Sequence, residues 1–180
     1  MTGGITLNVH ASDLLLFDVG DGRYALPVER VREVLPQAAT SPLRTAPIGL
    51  VGMLRLRGEL LPIVDLRQRL GLPAIAPQIG QCIIATRVGS AFVGLLVDGV
   101  RQIVSHGEMG SSTVGSAPGF VQCVTQVSGS VVSLIDAEAA VGKTIGQFLA
   151  SVLEQRELPE FARKPADSDE GTTSLVAHAV

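Results

Sequence analysis

Apolar and polar positions along this chain alternate in short blocks separated by turn residues, the pattern of many short strands. Residues 13 to 19 (DLLLFDV) form an apolar run suited to a strand, and Gly20, Asp21 and Gly22 supply the positive-φ positions of a tight hairpin ahead of a second strand, RYALPV. CIIATRV, then Gly89 and Ser90, then AFVGLLV repeat the device. LRLR and LLPIVD flank Gly58 and Glu59 as a further hairpin, matched by VTQV, Ser128, Gly129 and SVVSLID. Val28, Val31, Val34 and Leu35 fall at helical spacing and Pro36 stops them, which predicts one short helical segment between strands. Asp65 reads as the N-cap of a short helix, Leu66 to Leu70, closed by Gly71 at its C′ position and followed by Pro73; Asp136 and Gly142 bracket the same unit further on.

These blocks are an internal duplication. A shift of 69 places Val19 and Gly20 on Val88 and Gly89, Leu26 on Leu95, Val28 on Val97, Val31 on Val100, Arg32 on Arg101 and Val34 on Ile103. A shift of 71 places Gly58 on Gly129, Leu61 on Val132, Asp65 on Asp136 and Gly71 on Gly142. The copies span about 13 to 78 and 80 to 146, each too small to bury much surface alone, so two similar lobes packed on each other are expected. Short strands with regular turn signals and few helices predict a mainly β fold of two small five-stranded barrels. Ile145, Phe148, Leu149, Val152 and Leu153 then form an apolar stripe that predicts an amphipathic helix over 144 to 157. Residues 159 to 180, rich in Pro, Asp, Glu, Ser and Thr, read as a tail without a packed core.

Composition narrows the function. Of the 180 residues 46% are hydrophobic, enough for a core, and the net charge of −3 is spread along the chain, which argues against nucleic acid as a partner. Cys82 and Cys123 both lie in apolar runs, as buried thiols in a reducing compartment would. No basic segment leads into a long apolar one at the N-terminus, and no uncharged apolar stretch approaches the roughly 20 residues that cross a bilayer. A cytoplasmic protein with no direct membrane insertion is expected.

Candidate chemistry is sparse. AEAAVGKT (137 to 144) satisfies a permissive phosphate-loop pattern, but Ala137 to Val141 favour helix and contain no glycine, and Gly142 corresponds to the helix stop Gly71. His10, His106 and His178 are too scattered for a metal triad. Asp65, Asp98 and Asp136 could form a hidden catalytic set, but capping and turn roles account for each. The reading is therefore a non-enzyme without cofactor or metal, a nucleotide-binding or small-molecule enzyme being the distant alternative. Arg55, Arg57, Arg67 and Arg69 are the densest basic segment, either a solvated strand face or a docking surface, since guanidinium groups on rigid strands recognise carboxylates well.

FDVGDGRYALPVERVREVLP (17 to 36), IGLVGMLRLRGELLPIVDLRQRLGLP (48 to 73) and FVGLLVDGVRQIV (92 to 104) closely resemble the CheW-like family in order and spacing, over roughly residues 13 to 146. The resemblance implies paired five-stranded barrels, no catalysis, and an adaptor that couples the cytoplasmic tips of chemoreceptors to the regulatory domain of a CheA-type histidine kinase, with other CheW-like adaptors as further partners. It implies association with membrane receptor arrays through protein contacts alone. Carried over by motif position, a receptor groove would involve Val31, Glu33, Gly52, Arg57 and Gly58. Four have a plainer account: core for Val31, turn or close approach for the two glycines, solvated surface for Glu33; Arg57, directly before a turn glycine, has little structural reason to be there. Kinase or ring contacts would fall to Val97, Val100, Ile103 and Phe120. Cys123 stands where the family often has glycine, and the preceding loop is rich in Gly and Ser. An adaptor of a type IV pilus or another non-flagellar pathway is the alternative output.

Overall fold

The computed structural model describes residues 13–43, 45–105, 108–110, 112 and 119–154. In chain order the elements are β1 (Leu14–Val19), β2 (Gly22–Pro27), a single 3₁₀ turn (Val28–Arg30), β3 (Val31–Pro36), β4 (Leu50–Leu56), β5 (Glu59–Asp65) and α1 (Leu66–Arg69). Then come β6 (Cys82–Val88), β7 (Ala91–Val97), β8 (Gly99–Val104), β9 (Val121–Val127), β10 (Ser130–Ile135) and α2 (Ala137–Glu154). The helical spacing at Val28 to Leu35 yields only the 3₁₀ turn. From Val31 onward the chain is a strand, with Arg32 and Val34 exposed and Val31, Glu33 and Leu35 half-buried. The apolar residues do not alternate, so the strand comes from pairing with β6, which leaves Val34 exposed and Glu33 half-buried.

Two five-stranded sheets result, ordered β8-β1-β2-β10-β9 and β3-β6-β7-β5-β4. They do not follow the boundaries expected from the repeat, 13 to 78 and 80 to 146. Under the duplication β1, β2, β3, β4 and β5 correspond to β6, β7, β8, β9 and β10, and each sheet takes a hairpin from one copy and three strands from the other. The β1–β2 hairpin inserts between β8 and β10, and β6–β7 inserts in the same way between β3 and β5. The exchanged hairpins dock through parallel pairs, β2 on β10 and β7 on β5. The chain leaving one edge strand crosses to the other edge in both lobes: Ser41 bridges Met53 of β4, and Met109 bridges Val127 of β9. These bridges curl each sheet toward closure, which removes the exposed edges of an open sheet.

Among the described residues three apolar clusters hold this arrangement. Leu14, Leu16, Val132 and Leu134 belong to the cluster inside the first sheet, and Leu61, Ile63, Ile83 and Ala85 form that of the second. A larger shared cluster joins Leu15, Phe17 and Leu26 to Val64, Ile84 and Leu95, with Ala140, Ile145 and Leu149 of α2. Successive residues of β1 thus face opposite cores, as the period of a strand requires. The caps match the sequence reading. Asp65 Oδ1 accepts from Arg67 N at 2.8 Å, and Leu72 N donates to Arg67 O at 2.8 Å past Gly71, whose φ is 74°. Asp136 Oδ1 caps α2 by accepting from Glu138 N at 2.8 Å.

Helix α2 joins two expected helices end to end, the short unit bracketed by Asp136 and Gly142 and the amphipathic one expected from 144. Residues 137–141 form its first segment, Gly142 breaks it with φ 74° and ψ 164°, and a second segment runs to Glu154. Arg69 Nε donates to Ala140 O at 2.6 Å, so α1 of one copy caps the carbonyl end of the first segment in the other. The expected tail, 159 to 180, lies outside the described residues.

Candidate functional site

The β4–β5 connection is a two-residue turn, Arg57-Gly58, closed by the Leu56–Glu59 pair. Both turn residues have positive φ, 50° and 87°. This suits glycine, but a side chain there costs of order 1 kcal/mol. Arg57 therefore occupies a strained position, and its side chain is 71% exposed. Its Nη2 donates to Glu33 Oε2 on β3 at 3.0 Å. A second pair crosses beside it, with Arg32 Nη1 on Glu59 Oε2 at 2.7 Å. The Glu59 hydrogen bond and charge, helped by Glu33, raise the Arg32 pKa further above its ordinary value. The pairing of β3 with β6 shifts register between Val31 and Glu33, so Arg32 is a bulged residue, and bulges re-aim side chains. Its guanidinium lies 4.9 Å from the Phe92 ring centroid, and that of Arg87 lies 5.5 Å from the same ring.

Glu33, Arg57 and Gly58 thus meet on one surface at the end of the second sheet, with Val31 half-buried two residues along β3. Gly52 does not join them. It is buried against the closing bridge, where a Cβ would stand 2.5 Å from Ser41 O, so it is a close-approach glycine. Gly58 has open space around it and is a turn glycine. Of the second group, Val97 and Phe120 are buried, at 1% and 7% exposure, inside the shared cluster. Neither presents a side chain to a partner. Val100 is half-buried against that cluster, and only Ile103, 58% exposed, faces outward. Sequence position puts Phe120 beside a contact loop, but its apolar ring is drawn into the core.

A separate polar node links the lobes. Asp98 lies where the chain passes from β7 of one sheet to β8 of the other. Its Oδ2 accepts from Arg67 Nη1 at 2.5 Å and from Gly20 N, in the β1–β2 turn, at 2.6 Å. At the equivalent turn Gly89 N donates to Glu138 Oε1 at 2.8 Å. Sequence reasoning missed this node and the Arg32–Glu59 pair because strand exchange and bulges, rather than spacing, bring those residues together.

The phosphate-loop reading fails on geometry, since 137–141 are helical and Lys143 is exposed beyond the break. Among the described residues no group of three or more His, Cys, Asp or Glu could hold a metal ion. His10, His106 and His178 lie outside the described residues. No described helix is long and apolar enough to cross a membrane. Both cysteines are free, and burial raises the Cys123 thiol pKa against a smaller opposing effect of a hydrogen bond with Ser112.

Two curled five-stranded sheets with exchanged hairpins define the class of fold, and comparison with known proteins places it. The family profile of the CheW-like domain matches residues 13–145, and the chain belongs to that family. The chemotaxis protein CheW of Rhizobium meliloti (strain 1021) is 40% identical over 93 residues, covering 52% of this chain and 60% of the relative. CheW of Bacillus subtilis (strain 168) is 31% identical over 146 residues, covering 74% and 89%. The protein FrzA of Myxococcus xanthus is 35% identical over 96 residues, covering 51% and 59%. The matches to the Rhizobium and Myxococcus relatives span only about three fifths of those proteins. The crystal structure of the scaffolding protein TtCheW from Thermoanaerobacter tengcongensis shares the fold, with TM-score 0.67 and 20% identity, covering 74% of this chain and 97% of that one.

Proposed function

We propose that this protein is a non-catalytic adaptor that couples chemoreceptor tips to a histidine autokinase within a chemosensory array. The observation that carries the reading is Arg57: a strained, exposed arginine on the β4–β5 turn at the end of the second sheet, held on Glu33 of β3. A guanidinium fixed in this way offers a pre-oriented fork to a carboxylate or a helix C-terminus. No bond is altered in such a mechanism. Receptor and kinase domains bound to different lobes move together and shift each other's populations. Binding of full-length protein to a receptor-tip fragment and to the kinase regulatory domain, measured by calorimetry, tests this. Micromolar or tighter association with both is expected, and binding to neither overturns it.

A second output has one observation in its favour. The relative FrzA carries a name other than chemotaxis protein, and the same geometry serves an adaptor of a type IV pilus or other non-flagellar pathway. Genes beside this one, flagellar or pilus-regulatory, distinguish the two.

A further inference from the structure

The two sheets end in positions that correspond under the repeat but carry different charges. A shift of 69 places Asp18 on Arg87, Arg23 on Phe92 and Arg32 on Arg101. In the first sheet Asp18 answers both arginines. Arg101 Nε donates to its Oδ2, and Arg23 Nε stands 3.6 Å from its Oδ1. In the second sheet the carboxylate position is itself an arginine. Arg32 of β3 and Arg87 of β6 converge on the Phe92 ring of β7, their guanidinium carbons 4.9 and 5.5 Å from its centroid.

The charges at this end leave one arginine over. Glu59 takes Arg32 at 2.7 Å, and Glu33 takes Arg57 at 3.0 Å with Arg32 a further 3.7 Å away. Arg55 lies on the other face of β4 from Leu54 and Leu56 by strand alternation. Arg87 is exposed and has no carboxylate partner among the described residues. Beneath it Phe92 packs with Leu35, Leu54 and Leu56 on the cluster inside the sheet, so the ring is a fixed platform. Cation–π attraction holds both guanidinium groups to that platform although they repel each other. A carboxylate between them relieves the repulsion and takes up N–H donors still unused, since each guanidinium has five.

We propose that this end of the second sheet accepts an acidic side chain of the docking partner, its carboxylate held by Arg87 with Arg32 where the first sheet has Asp18, and its stem laid on Phe92. The surface is continuous with Arg57 through Glu33 and Glu59, so the partner is the receptor tip of the proposed function, a reading on which this inference rests. Arg57 then anchors the tip, and Arg87 selects one that presents a carboxylate beside it.

Calorimetric titration of the full-length protein with a receptor-tip fragment and, separately, with the kinase regulatory domain tests this. Arg87→Glu is expected to weaken tip binding by roughly tenfold or more, the scale of a charge pair lost at an interface, and Arg87→Gln to weaken it less. Melting temperature and kinase-domain affinity should stay as they are, and added salt should narrow the difference in tip binding. Among single Glu→Arg and Asp→Arg variants of the fragment, one should restore binding to the Arg87→Glu protein and not to the Arg57→Glu protein. Wild-type affinity in both Arg87 variants, a loss shared equally by tip and kinase domain, or the failure of every fragment variant to restore binding overturns the inference and leaves the adaptor reading standing. If the unaltered protein binds the kinase domain but no tip, that reading falls and the inference with it.

Discussion

Asp98 and Arg67 meet at 2.5 Å although they belong to different repeat copies, and the same carboxylate oxygen takes the Gly20 amide from the opposite lobe. The other oxygen, Oδ1, is buried with no hydrogen-bond partner among the described residues, so the arrangement relies on Oδ2. Asp98→Ala is expected to cost about 2 to 3 kcal/mol, because charged hydrogen bonds of partly buried groups contribute roughly 1.5 to 3 kcal/mol. Arg67→Met leaves the amide bond intact and should cost less. Urea unfolding monitored by circular dichroism measures both, and an unshifted midpoint for Asp98→Ala would remove the node from the account of stability.

Arg57→Glu should separate binding from folding. An ion pair as exposed as Arg57–Glu33 contributes at most about 1 kcal/mol, so the melting temperature should move little. Affinity for a receptor-tip fragment should fall by roughly 2 kcal/mol or more, the scale of an interface hot spot. Equal affinity for mutant and wild type would take Arg57 out of the docking surface. Arg57→Gly relieves the positive φ and should raise stability by up to about 1 kcal/mol while still losing the partner.

Gly52→Ala and Gly58→Ala form a matched pair. At Gly58 a methyl group meets nothing within 4 Å, so only its φ of 87° opposes the change, at roughly 1 kcal/mol. At Gly52 the methyl collides with Ser41 O on the bridge that closes the sheet, and a loss above about 2 kcal/mol is expected. Chemical denaturation of the two variants should rank them in that order.

Cys123 links stability to alkaline pH. Burial holds its thiol above the ordinary value, so near and above about pH 8.5, where an unfolded thiol ionises, only the unfolded chain gains by releasing the proton. Its contribution is intact below that pH and declines as pH rises toward the folded value. Tyr24, raised by burial as well, adds a further decline near and above about pH 10. Unfolding free energies at pH 7.5 and 9.5 should show the fall, and Cys123→Ala should flatten it. A thiol reagent under native conditions should modify half-buried Cys82 well before buried Cys123.

The elements whose signals are local were legible in the sequence. The Gly20, Gly58, Gly89 and Gly129 turns and the Asp65 and Asp136 caps were all visible, because turn and cap chemistry is written within four or five residues. The duplication was equally plain. The partition of strands between lobes was not, since a repeat shows which segments are alike and not which of them pair. Val97 and Phe120 were misplaced because sequence position does not reveal burial: Val97 ends the largely buried strand β7, and Phe120 lies in the turn before β9 with its ring in the shared core. Arg57 stood out in the string LRLRG, while its ally Arg32 depended on a bulge that spacing does not reveal.

The reciprocal insertion of the β1–β2 and β6–β7 hairpins fixes what half of this molecule could do. A peptide carrying one copy alone has a hairpin with no sheet to enter and three strands with a gap between them. It completes itself only by meeting its like, each lending the other a pair of strands. A single-copy forebear would thus have worked as an interlocked dimer, and joining the two genes would have turned that dimer into one polypeptide without redrawing a single pairing. Severing the chain near residue 79 should accordingly yield pieces that reassemble on mixing and that neither lobe can do without.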